Sequence, residues 1–293
     1  MGNKRIAVVT DSNSGITQQE AKELGLYVLP LPFTMEGQLY FEGVTLSPEM
    51  FYQKLAEDCE VSTSQPSLGT IKELWDSLLA EYDEILHIPM SSGFSASCAS
   101  ATVLAREYEG RVYVVDCLRI SITQRQAVLD AQTLIKAGWE GTRIKEYLEQ
   151  VKMDSSIYLM VDTMKYLRKS GRVSPAVAAI STILNIKPIL CIKGAKTDVF
   201  AKARGVKQAT GLLLKGIQDD LAGIFKDFAG PDKMWLKIAY SINKAAAENL
   251  KRVVEAALPG YPIHIEPLSF TVVCHAGPGA LALTCCRKLD SVI

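Results

Sequence analysis

Glu84-Ile85-Leu86-His87-Ile88-Pro89-Met90-Ser91-Ser92-Gly93-Phe94-Ser95 is an apolar run that ends in a hydroxyl-rich turn. The run over 84–90 reads as a strand. The next helix, over about 95–107, is rich in small residues (Ala96, Ser97, Ala99, Ser100, Ala101), so it can pack closely against a neighbour. A second turn of the same chemistry lies upstream, Ser62-Thr63-Ser64-Gln65-Pro66-Ser67. It opens a helix over about 68–81, in which Ile71, Leu74, Trp75, Leu78 and Leu79 recur at helical spacing. A helix N-terminus presents unpaired N–H groups and a partial positive charge, and Ser and Thr add hydroxyl donors. Two such turns on one sheet suit a small anion, a phosphate or a carboxylate.

Outward from these turns the strand–helix unit repeats. Arg5–Thr10 is a buried strand that ends in Asp11-Ser12-Asn13-Ser14-Gly15, and a helix follows over about 17–24. Tyr27–Thr34 reads as one strand and Gln38–Phe41 as a short further one. Ser47-Pro48-Glu49 is an N-cap with Pro at the first helical position, opening a helix to about residue 58. Arg111–Val115 is a strand ending at Asp116, followed by helices over about 121–137 and 142–152. Short apolar strands alternating with helices predict a parallel sheet covered on both faces. Ligands of such sheets sit at the C-terminal strand ends, where Asp11, Ser91 and Asp116 lie.

Residues 156–161 open a second domain. It is expected to contain a short helix over 164–169, an apolar helix over 175–184, and a hairpin of strands 187–192 and 199–203 around Gly194-Ala195-Lys196-Thr197-Asp198. A helix over 206–224, a strand over 237–242, a helix over 244–257 and strands over 263–267 and 271–274 follow. After His275-Ala276-Gly277-Pro278-Gly279-Ala280, a final apolar helix is expected to about residue 288. The expected organisation is two α/β domains, 1–155 with a mostly parallel sheet flanked by helices and 156–293 with a mixed α/β arrangement.

Lys plus Arg and Asp plus Glu both number 32, so a zero net charge gives no electrostatic case for nucleic acid or an anionic membrane. No apolar run approaches the roughly 18 residues of a membrane span, and the first residues do not form a signal peptide. The seven cysteines are scattered without a Cys-x-x-Cys pair, which fits reduced thiols in a cytoplasmic protein better than a zinc site or disulfides. No clustered His and carboxylate set suggests a metal, and neither a Walker loop nor a Gly-x-Gly-x-x-Gly turn suggests a nucleotide.

Each candidate has a plain alternative. Ser67 after Pro66 is a sufficient helix cap by itself. Ser91-Ser92-Gly93 is more informative, because Gly lets the backbone approach a ligand. His275 is either a core histidine or a group that pairs with a carboxylate when protonated and donates one hydrogen bond when neutral. His87 and His264 read as structural. Arg172 and the cluster Lys202, Arg204 and Lys207 are either solvated charges or one patch that receives phosphate groups carried by a partner. A serine hydrolase using Ser92 or Ser95 with His275, oriented by Asp11 or Asp116, is the alternative enzyme reading, without a Gly-x-Ser-x-Gly elbow.

Taken in order, the motifs resemble those of the DegV family of bacterial proteins. They are Thr10-Asp11-Ser12, Thr63-Ser64-Gln65-Pro66-Ser67, Ser91-Ser92-Gly93-Phe94-Ser95, Val115-Asp116-Cys117, the stretch from Lys165 through Gly171-Arg172 to Ser174, Lys187-Pro188-Ile189-Leu190, Lys202-Ala203-Arg204, and His275-Ala276-Gly277-Pro278-Gly279-Ala280. The resemblance implies a long-chain fatty acid held in an apolar tunnel between the two domains. It implies Thr63 and Ser92 as carboxylate ligands, with Ser64, Ser95 and His275 beside them, and no cofactor. It implies a non-catalytic subunit that presents the carboxylate to a separate ATP-binding fatty acid kinase subunit, which makes an acyl phosphate for phospholipid synthesis. Arg172 would face that subunit, with Lys202 and Arg204 in the patch, and transient membrane contact is compatible with this role. The chain departs from the family pattern at Phe94, at Ser121 in the stretch after Asp116, and at Ser170, where the family usually has Gly. Chain-length preference is therefore not carried over.

Overall fold

The computed structural model describes residues 4–57, 59–178 and 186–289. Two compact units are present, Met1–Pro48 with Glu60–Lys152, and Glu49–Cys59 with Met153–Val292. The chain thus visits the second unit once before residue 153, a crossing that the expected division at 155/156 does not contain.

In chain order the first unit begins with β1 (Ile6–Asp11), α1 (Gln18–Leu24), β2 (Tyr27–Leu29), β3 (Pro32–Met35) and β4 (Gln38–Phe41). Then comes α2 (Pro48–Ala56), nearly all of which belongs to the second unit. The first unit continues with β5 (Val61–Thr63), α3 (Leu68–Leu79), β6 (Glu84–Ile88), α4 (Ser97–Ala105), β7 (Val112–Val114), α5 (Ser121–Lys136) and α6 (Gly141–Gln150). Its main sheet has the order β2-β1-β6-β7 and is parallel throughout, as expected. Every residue of β1 and β6 is buried, which is why apolar residues do not alternate with polar ones in Ile6-Ala7-Val8-Val9 or across Ile85-Leu86. Trp75, Ile71 and Leu78 of α3 and Ala101 and Leu104 of α4 pack on Ala7, Val9 and Ile85. Gln124 of α5 reaches Thr10, which alternates with Val9 along β1, so α5 covers the opposite face.

The single strand expected over 27–34 is two strands in two sheets. Leu29 ends the parallel ladder, and Pro32 starts β3 in the antiparallel sheet β4-β3-β5. Pro30 and Pro32 carry no N–H, and the N–H of Leu31 between them donates to the Ser12 hydroxyl at 3.0 Å, so the first ladder cannot continue.

The second unit adds β8 (Ser155–Met160), α7 (Lys165–Ser170), α8 (Pro175–Ala178), β9 (Ile186–Lys193), β10 (Lys196–Arg204), α9 (Gly205–Ala222), β11 (Met234–Tyr240), α10 (Lys244–Ala257), β12 (Ile263–Pro267), α11 (Phe270–Ala276) and β13 (Leu281–Arg287). Its sheet has the order β10-β9-β8-β13-β11-β12, antiparallel except for β11 with β12. Leu213 and Ile217 of α9 and Leu250 and Val254 of α10 pack on Met160, Leu236, Ile238 and Leu283. The hairpin around Gly194 forms as its turn residues predict. Residues 179–184 of the expected helix 175–184 lie outside the described residues.

Two expectations near the C-terminus are overturned. The strand expected over 271–274 is part of α11, whose first turn is capped by Ser269 accepting the N–H of Val272 at 3.4 Å. The final helix expected to residue 288 is strand β13, in the middle of the sheet between β8 and β11. Leu281-Ala282-Leu283-Thr284-Cys285-Cys286 is apolar on both sides because both sides are buried. Periodicity cannot separate such a strand from a buried helix, and two flanking ladders override the helix propensity of Leu and Ala. Among the described residues no helix is long and apolar enough to cross a membrane.

Candidate functional site

The turn after β6 is braced from three sides. The N–H of Met90 donates to Asp11 Oδ2 at 2.8 Å, that of Ser91 to the Arg119 carbonyl at 3.0 Å, and that of Ser92 to Asp116 Oδ1 at 3.3 Å. Gly93 N–H goes to Ser91 Oγ at 3.2 Å, and those of Phe94 and Ser95 go to the Ser91 carbonyl. The backbone donors expected to greet an anion here are therefore engaged inside the protein. The exposed Ser92 side chain projects a hydroxyl that bonds to none of these groups. Ser95 Oγ accepts the N–H of Ser97 at 3.1 Å and meets Ser97 Oγ at 2.7 Å, so it is engaged with the first residue of α4, whose N-cap position is Ala96.

The braces come from neighbouring strand ends. Asp11, fully buried at the end of β1, also accepts the Asn13 N–H and the Gln124 side-chain amide, each at 3.1 Å. Burial raises its pKa to about 6, against the lowering effect of the Met90, Gln124 and Asn13 hydrogen bonds. Asp116 sits just beyond β7 and accepts the Leu118 N–H through the same Oδ1 that holds Ser92. The loop from there to α5 has Leu118 at φ 49° and Ser121 at φ 52°. These left-handed backbones are uncommon for such residues, and the Asn13 side chain secures the second by accepting the Ser121 N–H at 2.9 Å. Arg119 in this loop is buried and donates Nη2 to the Val151 carbonyl at the end of α6, at 3.1 Å. Neither Gln124 nor Arg119 is singled out by sequence reasoning, since nothing local marks them.

Thr63 ends β5, half-buried and paired with Phe33 of β3, and the Ser64 N–H donates to the Pro32 carbonyl at 3.1 Å. The Ser64 side chain is exposed. Ser67 caps α3 by accepting the Thr70 N–H at 3.0 Å, as expected. Gln65 Nε2 donates to Ser100 Oγ of α4 at 3.1 Å, and that hydroxyl lies 3.3 Å from Gln65 Oε1. The segment carrying Thr63 is thereby joined to the helix that follows Ser92.

In the second unit, His275 occupies the last turn of α11 and is half-buried. Burial first, and the charge of Arg172 second, lower its pKa to about 4, so the ring is neutral at pH 7. Gly277 and Gly279 follow at φ 80° and 84°; a Cβ at Gly279 would lie 2.3 Å from Asp162 Oδ2. Asp162 pairs with Lys187 at 2.7 Å beside a pocket of about 90 Å³ lined also by Met160, Asn243 and Leu281. Arg172, exposed past α7, donates to the Ser170 carbonyl. Lys202 and Arg204 are exposed on one side of β10, flanking buried Ala203.

Comparison with known proteins agrees with this architecture. The profile of the family described as "Uncharacterised protein, DegV family" matches residues 5–288. A DegV domain-containing protein of Deinococcus radiodurans is 31% identical over 95% of this chain and 97% of its own. The structure is similar to that of a DegV family protein from Thermus thermophilus reported for its fatty acid binding, with a TM-score of 0.86 and 29% identity, covering 97% of this chain and 100% of that one. It is also similar to DegV, a fatty acid binding protein from Bacillus subtilis, with a TM-score of 0.84 and 27% identity, covering 97% and 100%. The parallel sheet, the mixed sheet and these matches converge on one conclusion: the chain belongs to the DegV family.

Proposed function

We propose that this protein binds a long-chain fatty acid and presents its carboxylate to a separate ATP-binding kinase subunit, without catalysing a reaction itself. Thr63 and Ser92 are the head-group ligands in this reading, with Ser64 and Ser95 beside them, and His275 is assigned to the same carboxylate. The observation that carries it is the joining of the Thr63 and Ser92 segments, which follow β5 and β6 of two different sheets, through Gln65 and Ser100, in a fold whose structural relatives bind fatty acids. Hydroxyls suit the task, because burying an unpaired carboxylate costs several kcal/mol. His275, neutral when no ligand is bound, would add one hydrogen bond. Burial of the acyl chain contributes roughly 0.8 kcal/mol per CH₂, which makes tight binding feasible without net charge. The exposed cations Arg172, Lys202 and Arg204 are the groups we assign to the partner and its phosphates.

The test is mass spectrometry of small molecules extracted from the folded protein. A stoichiometric fatty acid is expected, and its loss from a Thr63→Ala/Ser92→Ala double variant. An empty extract, even after incubation with mixed free fatty acids, would sink the reading. Labelling of Ser92 or Ser95 by a fluorophosphonate would favour a serine hydrolase instead.

A further inference from the structure

We infer that Asp116 is a positioning residue for head-group recognition, acting through Ser92; this rests on the fatty acid-binding reading above. Every backbone N–H from Met90 to Ser95 is engaged within the first unit, so the turn has only hydroxyls to offer a ligand. The Cα–Cβ direction from which Ser92 offers its hydroxyl follows from the backbone at that residue, and the Ser92 N–H is held by Asp116 Oδ1 at 3.3 Å. The same oxygen receives the Leu118 N–H at 3.3 Å, tying the turn to the left-handed loop that also delivers the Arg119 carbonyl to Ser91. Asp116 is itself anchored from α6, because its N–H donates to Glu149 Oε1 at 3.3 Å and Lys145 bridges Glu149 to the Val114 carbonyl. On the other side, Asp11 holds Met90, so the turn is gripped at both ends.

The geometry makes a chemical distinction. Asp116 uses one oxygen for both N–H groups, and an Asn side chain retains one such acceptor. Asp116→Asn should therefore keep the turn in place, whereas Asp116→Ala releases the Ser92 N–H and lets its side chain swing.

The test is binding of a fluorescent fatty acid, cis-parinaric acid, to the full chain at pH 7.5. Unfolding midpoints are measured alongside, to confirm that every variant is folded. Ser92→Ala and Asp116→Ala should each weaken binding about tenfold, the loss of one hydrogen bond to a charged group. The double variant should be no more than about twofold weaker than the weaker single one, because both changes remove the same contact. Asp116→Asn should stay within about threefold of wild type. Should Asp116→Ala not fold, Asp116→Val replaces it in the same comparison. Wild-type binding by Asp116→Ala, a multiplicative loss in the double variant, or an Asn variant as weak as the Ala variant would each overturn the inference alone. If Ser92→Ala binds like wild type, the head-group assignment at Ser92 fails, and the inference with it.

Discussion

Asp11 Oδ2 accepts the backbone N–H of Met90 at 2.8 Å, so a fully buried carboxylate ties the end of β1 to the residue two beyond the end of β6. Its hydrogen-bond donors are two backbone N–H groups and one side-chain amide, and burial raises its pKa from 3.8 to about 6. Between those values the native state holds a proton that the unfolded chain releases. Asp11 therefore favours folding more strongly as the pH falls through that window, the reverse of an ion-paired carboxylate. The amide resonance of Met90 should titrate with a midpoint of about 6 in wild type and lose that titration in Asp11→Asn. A midpoint near 4 would contradict the burial argument.

His87 pulls in the opposite direction. It is 2% exposed on β6, edge-on to the Trp75 ring at 5.5 Å, and neither ring nitrogen has a hydrogen-bond partner among the described residues. Burial lowers its pKa to about 3, so acid protonates the unfolded chain first and stability is lost as the pH falls from 6.5 towards 3. His87→Leu should cost little at pH 7, because no hydrogen bond is broken. Urea unfolding at pH 7.0 and 4.5 should show wild type losing about 2–3 kcal/mol more than this variant on acidification, at roughly 1.4 kcal/mol per pH unit. Equal losses would show that His87 is solvated.

Two glycines of α9 should respond to Ala with opposite signs. A Cβ at Gly216 would lie 2.4 Å from a ring carbon of buried Tyr158, whereas one at Gly211 meets nothing within 4 Å among the described residues. Ala is the better helix former by about 1 kcal/mol at either site. Gly211→Ala should stabilise by up to about that amount, and Gly216→Ala should destabilise by about 2 kcal/mol from overpacking. Tyr158→Leu should partly relieve the second loss, which chemical denaturation can measure.

The attachment of α2 to the second unit is equally open to test. Phe51 is fully buried and stacks on Phe270 with centroids 4.3 Å apart and planes 8° from parallel. Tyr52 donates its hydroxyl to the Ser241 carbonyl at 2.8 Å. Phe51→Ala should cost about 3–5 kcal/mol, and Tyr52→Phe about 1 kcal/mol. Protease cleavage near residues 56–60 should rise in the first variant; unchanged cleavage would mean that α2 is held by other contacts.

Local chemistry made much of the architecture legible in the residues themselves. β1 and β6 are recognisable as strands because short apolar runs, Ile6-Ala7-Val8-Val9 and Ile85-Leu86 with Ile88, lead into turns, α3 because of its spacing and Ser67 cap, and the β9–β10 hairpin because of Gly194. Motif order was enough to indicate the family. Tertiary structure alone decided three matters. Leu281–Arg287 became a central strand because ladders form on both of its sides, a long-range fact that an apolar run cannot encode. Pro48–Ala56 joined the distant β8–β13 unit through Phe51 and Tyr52, whose partners lie some 190–220 residues away. At the candidate site, the hydroxyls of the Ser91-Ser92-Gly93 turn are visible in one dimension. That its backbone donors are already taken by Asp11, Arg119 and Asp116 is not, because those partners converge only when parallel strands bring their C-terminal ends together.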